Sequence, residues 1–386
     1  MLRLSALFIT SFLFFLQGSA LAYIGLCCAK CGGNMPLNIL GAGVPETHEF
    51  RFKLSPVYMK MDGLLDGTKN VGSSDLLGMP AMGKFMAVPE NMEMTMVNFA
   101  VGYSFTDDFF GGLMFMWKKN SMDMVFNSMM KANTGKNGFK MESEGMGDTM
   151  FMTKYRLYTD DPLIPKSQIS FLSGFTLPTG SNDAKNGNHP LTARKGEKLP
   201  YSMQLGSGTF DPILGVLYQG STSPWWWGAN LIYTGRWYTN GQGYTLGDEL
   251  KTDLYVMHQV RHNLVAQLQL NWKYWGKTKG EMDEVKSGVS GRATKGVPTS
   301  PLTTPLYDKN NYGGTKLSVT AGFQWQPLPF QILELDFGLP LLQNLNGPQL
   351  KEEYRVSFTW YLELPTSASR RAKGNKASPP KSKLGF

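Results

Sequence analysis

Between Met92 and Phe105 the chain separates into two strips when it is taken in steps of two. The even positions carry Met92, Met94, Met96, Asn98, Ala100, Gly102 and Ser104, and from Val97 the odd positions carry Val97, Phe99, Val101, Tyr103 and Phe105. A β-strand points successive side chains to opposite faces, so one face is oily and the other small, polar or thioether. The same alternation recurs at 47–61, 93–106, 109–124, 145–158, 167–178, 207–220, 225–238, 249–261, 264–275, 314–326, 330–341 and 353–364, twelve predicted strands in all. Leu317, Val319, Ala321, Phe323 and Trp325, for example, oppose Lys316, Ser318, Thr320 and Gln324.

The connections narrow the fold further. Short turns fall at 106–108, 159–166, 221–224, 261–263 and 327–329. Long stretches rich in Gly, Lys and Asn fall near 62–92, 125–144, 179–206, 239–248, 276–313 and 342–352. Short and long alternate throughout, the pattern of a closed antiparallel transmembrane β-barrel with short periplasmic turns and long outer loops. The strand count is even, and Trp225-Trp226-Trp227, Trp237-Tyr238 and Trp272 with Trp275 sit where interfacial girdles belong. The reading is therefore all-β, a barrel over 47–364. A soluble sandwich or lipocalin-like barrel would need fewer strands and no such loop asymmetry.

Composition agrees. Charged residues make up 18% of the chain, below the roughly 25% of soluble domains. Residues 1–22 form an expected signal peptide, with Arg3, the apolar run Leu4 to Leu16 and the small-x-small pattern Ala20-Leu21-Ala22. Residues 23–46 are expected to form a periplasmic N-terminal segment with a cysteine cluster, and 365–386 a disordered basic tail. That tail contributes much of the net charge of +8, which therefore does not require nucleic acid.

Methionine is the unusual residue, 23 in all. Met59, Met61, Met92, Met94, Met96, Met114, Met116, Met150 and Met152 all fall on the polar strip of their strands, with Lys154 and Arg156 beside the last pair. They are candidates for the lumen wall, as are Arg236 and Asp336, and further inward charges are Asp253, Lys273, Glu334 and Arg355. Two chemistries suit rows of thioethers: contact with apolar or aromatic solutes, or soft metals such as Cu(I) and Ag(I). Cys27, Cys28 and Cys31 allow a metal site, a disulfide with one spare thiol, or a lipid-anchored cysteine. No nucleophile elbow, HExxH, phosphate loop or dinucleotide fingerprint is present, so neither an enzyme nor a cofactor is expected.

Several motifs are familiar together: Glu144-Gly145-Met146-Gly147-Asp148, Leu199 to Thr209, Gly243-Tyr244-Thr245-Leu246-Gly247-Asp248, Leu335 to Pro340, and Leu345-Asn346-Gly347-Pro348-Gln349-Leu350. Over roughly 50–364 the chain resembles a family of Gram-negative outer-membrane barrels labelled for the meta-pathway of phenol degradation, whose members are called transporters. The resemblance implies an outer-membrane location and a channel for small aromatic compounds; it brings no agreed binding residues, and the cysteine cluster and basic tail depart from its pattern. The expected function is passive diffusion of small hydrophobic or aromatic solutes. The alternatives are soft-metal binding or transport, and a non-transporting structural or surface-interaction barrel. The expected partners are outer-membrane lipid and a small-molecule solute; oligomeric state has no sequence signal.

Overall fold

The computed structural model describes residues 35–44, 46–161 and 165–374. Its strands are β1 (Glu49–Gly67), β2 (Lys69–Val71), β3 (Ala87–Ser104), β4 (Phe109–Phe126), β5 (Gly138–Met146), β6 (Thr149–Thr159), β7 (Ser167–Leu177), β8 (Asp211–Thr222), β9 (Trp225–Thr234), β10 (Tyr244–Thr245), β11 (Glu249–Arg261), β12 (Leu264–Trp275), β13 (Lys279–Gly280), β14 (Gly314–Trp325) and β15 (Gln331–Pro365). Eleven of these elements close a ring in the order β1-β3-β4-β6-β7-β8-β9-β11-β12-β14-β15, and β15 returns to β1. The pairing is antiparallel around the ring. Closure satisfies backbone donors and acceptors between strands and leaves no open edge. β2 and β5 pair outside the ring with β1 and β4, and β10 with β13 forms a separate ribbon.

β15 crosses the wall twice. Its first arm pairs with β14 from Leu333 to Leu345, and its second arm pairs with β1 as far as Pro365. The Glu363 amide donates to the Phe330 carbonyl at 2.8 Å, so the two ends of the element meet. The chain reverses around Asn346-Gly347-Pro348, where Gly347 has φ 71°, a conformation that costs glycine little. Twelve passes result. The expected outer loop at 342–352 is instead strand, because its polar residues pair across the hairpin: Glu352 N donates to Gln343 Oε1, and Gln343 Nε2 donates to Glu352 O, both at 2.9 Å.

The two strips separate as the alternation requires. Phe50, Leu54, Phe99, Leu113, Leu254 and Phe337 point outward and are exposed, while Arg51, Ala100, Tyr255 and Asp336 on the other parity are buried inside. An exposed apolar band around a closed sheet is what lipid contact demands. Among the three tryptophans at the start of β9, Trp225 and Trp227 face out, but Trp226 is only 9% exposed and packs inside the barrel.

The start of the expected disordered tail is ordered. Residues Arg370–Gly374 are helical at the short-turn end. Arg371 bridges Glu49 and Glu363 at 2.7 Å each, and Arg370 reaches Asp107 at 2.8 Å. Glu49 and Glu363 are 0% and 2% exposed, and buried carboxylates of that kind require a cation or donors. Residues 375–386, the signal segment 1–22 and Cys27, Cys28 and Cys31 lie outside the described residues.

Candidate functional site

The lumen at the short-turn end is occupied by the chain itself. Residues 23–46 were expected to form a periplasmic N-terminal segment; within that span Met35–Val44 lies inside the barrel. Met35, Leu37, Ile39, Ala42 and Val44 are at most 4% exposed. They pack on Phe110, Met152, Leu172, Leu217, Trp226 and Tyr255 from the wall, and on Ile332 and Tyr361. A buried irregular segment needs partners for its peptide groups, and inward polar side chains supply them. Leu37 N and Asn38 N donate to the two oxygens of Glu334 at 2.6 and 2.8 Å. Lys53 donates to Leu37 O at 2.9 Å, Lys154 to Gly41 O at 3.2 Å and Gln324 to Met35 O at 2.9 Å. Arg51 donates to the carbonyls of Ala42 and Gly43 and lies over the Phe110 ring. Several charges that alternation placed in the lumen therefore hold this plug.

At the opposite end the long connections fold against one another. Tyr307 donates to Lys198 O at 2.6 Å, Arg194 to Ala293 O at 2.8 Å, and Met282 N to the Tyr201 hydroxyl at 3.0 Å. Burial pushes the Tyr201 phenol up to about 12 and holds Tyr307 higher still, so both remain neutral donors or acceptors. Two of the familiar motifs meet here. Asp148 accepts from Gly180 N at 3.0 Å and Ser207 N at 2.7 Å. A Cβ at Gly206 would lie 2.5 Å from Asp148 Oδ1 and from Gly180 O. Glycine is required because three backbone segments cross at contact distance.

Between plug and outer loops runs a wall of thioethers. Strand register places Met59 opposite Met94, Met61 opposite Met92, Met92 opposite Met122, and Met114 opposite Met150. The nine methionines divide by what they pack against. Met152, with Met150 against it, belongs to the plug cluster; Met92, with Met61 and Met94, belongs to the cluster under the outer loops. Met59, Met96, Met114 and Met116 are half-buried and fall in neither cluster.

The wall across the lumen is ionic. Lys251 pairs directly with Lys273, and Lys273 with Lys316, on the adjacent strands β11, β12 and β14. Glu249 receives Lys251 at 3.2 Å, Lys273 at 3.1 Å and Arg236 at 3.5 Å. Lys316 pairs with Glu352, and Arg236 also with Asp211. Lys251, Lys273, Lys316 and Arg355 lie about nine or ten residues from the short-turn ends of their strands, as do Met59, Met94 and Met150. β3 and β11 are six passes apart in a ring of twelve, so the two walls face each other.

The remaining sequence candidates serve local pairing. Arg156 binds Asp108 at 2.6 Å near the short-turn end, and Asp336 accepts from Gln267. The sequence candidates did not include the plug, Lys251, Glu249 or Glu352, although Lys251 and Glu249 share the parity of Asp253; Glu352 falls off the parity of its strand at a register shift. The lysine row depends on register between strands, which one strand's pattern does not carry, although Lys316 stood visibly on a polar strip.

A family profile described as "Putative MetA-pathway of phenol degradation" matches residues 93–297. The COG4313 outer membrane channel from Pseudomonas putida F1 is similar in structure, with TM-score 0.53 and 13% identity over 83% of this chain and 97% of that one. The transport unit of the autotransporter AIDA-I from Escherichia coli gives TM-score 0.41 and 9% identity over 86% and 93%. The toluene transporter TodX from P. putida gives 0.41 and 10% over 82% and 91%. No curated protein matches the sequence.

Proposed function

The chain belongs to the family of the MetA-pathway of phenol degradation, and on that premise we propose that it is an outer-membrane channel through which small hydrophobic or aromatic solutes diffuse passively. The carrying observation is the half-buried wall of Met59, Met96, Met114 and Met116, which faces the lumen between the plug and the outer loops. Thioethers are polarisable and adapt to flat apolar surfaces, including aromatic rings. Passage follows the solute's gradient once the plug moves. The COG4313 outer membrane channel from P. putida F1 shares this architecture, which accords with this reading.

The test is initial uptake of radiolabelled p-cresol by intact Gram-negative cells displaying the protein. Faster uptake than in control cells, reduced by Met59→Asp with Met116→Asp, is expected. A folded, surface-displayed barrel that leaves uptake at the control rate overturns the proposal.

The directly opposed methionine pairs favour one second reading, soft-metal binding. Cu(I) titration of the purified barrel decides it: unchanged melting and spectrum remove the metal.

A further inference from the structure

The lysine row is an expensive arrangement that the fold does not explain. Like charges directly opposite on neighbouring strands destabilise a sheet, and ionisable groups within a membrane protein's spanning region mark pathways for solutes or ions. Three lysines stand in line across β11, β12 and β14. What relieves them is recessed. The side chain of Lys251 is 47% exposed and that of Lys273 34%, whereas Glu249 is 20% exposed, Glu352 4% and Asp211 0%. One carboxylate, Glu249, is shared by three cations. Arg355, at the same height on the second arm of β15, forms no ion pair among the described residues. A solute at this level therefore meets ammonium groups on one side and thioethers on the other.

We propose that this level of the lumen is a binding site for amphipathic organic anions, with aromatic carboxylates as the class. The carboxylate takes charge-assisted hydrogen bonds from Lys251 and Lys273, and the ring lies against Met59 and Met96 on the facing wall. This rests on the solute-channel reading and specifies its cargo. Rings of lysine and arginine select anions in other pores by the same electrostatics, while an uncharged aromatic gains only the thioether side.

Equilibrium dialysis of radiolabelled benzoate and benzyl alcohol against the full-length protein in zwitterionic nanodiscs tests the site. Benzoate is expected to bind about tenfold more tightly than benzyl alcohol, to weaken with added salt, and to lose that preference in Lys251→Gln with Lys273→Gln. Acetate as competitor separates the two halves of the site, since a site for amphiphiles releases benzoate only at much higher acetate. Equal binding of both probes, or a preference surviving the double substitution in a folded barrel, overturns the anion site. Uptake of neutral p-cresol is scored separately, so the channel reading stands or falls by its own measurement.

Discussion

Lys251 and Lys273 stand directly opposite each other on β11 and β12 and share the Glu249 carboxylate at 3.2 and 3.1 Å. The carboxylate offsets a repulsion that the register imposes, so the members of the cluster differ in what their loss does. Glu249→Gln is expected to destabilise the barrel by about 2 kcal/mol, because three cations lose a common partner. Lys251→Gln should change stability by less than about 0.5 kcal/mol, because it also removes a like-charge contact. Urea unfolding in micelles, followed by tryptophan fluorescence, measures both; equal losses would contradict the shared-partner account.

Glu334 tethers the plug through both oxygens. Hydrogen bonds to a charged group contribute about 1.5–3 kcal/mol each. Glu334→Ala should accordingly speed amide exchange at Leu37 and Asn38 and raise single-channel conductance. Unaltered exchange at those two amides would show that apolar packing alone holds the segment.

His189 lies against Phe139 and Phe126, with ring centroids 4.6 and 5.9 Å away, and its Nδ1 accepts from Leu191 N at 3.1 Å. Burial, with the Arg194 charge adding to it, lowers its pKa from 6.5 to about 4. Between those values the unfolded loop binds a proton that the packed loop does not. The packing contribution is thus complete above about pH 6.5 and declines as pH falls toward 4. Limited proteolysis within 178–210 should be faster at pH 5 than at pH 7, and His189→Phe should flatten the dependence.

At Gly206 an added Cβ meets backbone and carboxylate at 2.5 Å, whereas at Gly241 nothing lies within 4 Å. Gly206→Ala should cost about 1–3 kcal/mol through forced displacement of the crossing segments. Gly241→Ala should be nearly silent. Thermal unfolding of the pair gives the comparison.

Arg371 joins Glu49 on β1 to Glu363 on β15, across the seam where the barrel closes. Removing one partner of a buried ion pair costs about 3–5 kcal/mol. Arg371→Gln should lower the temperature at which the folded barrel loses its compact gel mobility. No shift would mean that the seam's backbone pairing suffices without the clasp.

The motifs behind the family resemblance were legible as strings of glycine and acid, but their reason was not. Asp148, Gly180 and Gly206 are far apart in sequence and become necessary to one another only where three backbones cross. Lys154 and Glu334 were legible as inward charges, but what they bind was not. The buried segment Met35–Val44 is a partner of both. Its sequence has no strand alternation and no helical period, so nothing local announces where it goes.

Strand alternation by itself determined the all-β barrel and its twelve passes, because side-chain direction in a strand is a strict function of parity. Tertiary structure alone decided which residues are neighbours. Register set Lys251 beside Lys273 and Lys316, ring order set that row across from Met59 and Met94, and burial sent the N-terminal segment into the lumen. Parity is carried within each strand. Register, closure and plugging depend on contacts between segments as distant as Leu37 and Glu334, and only the folded chain brings those together.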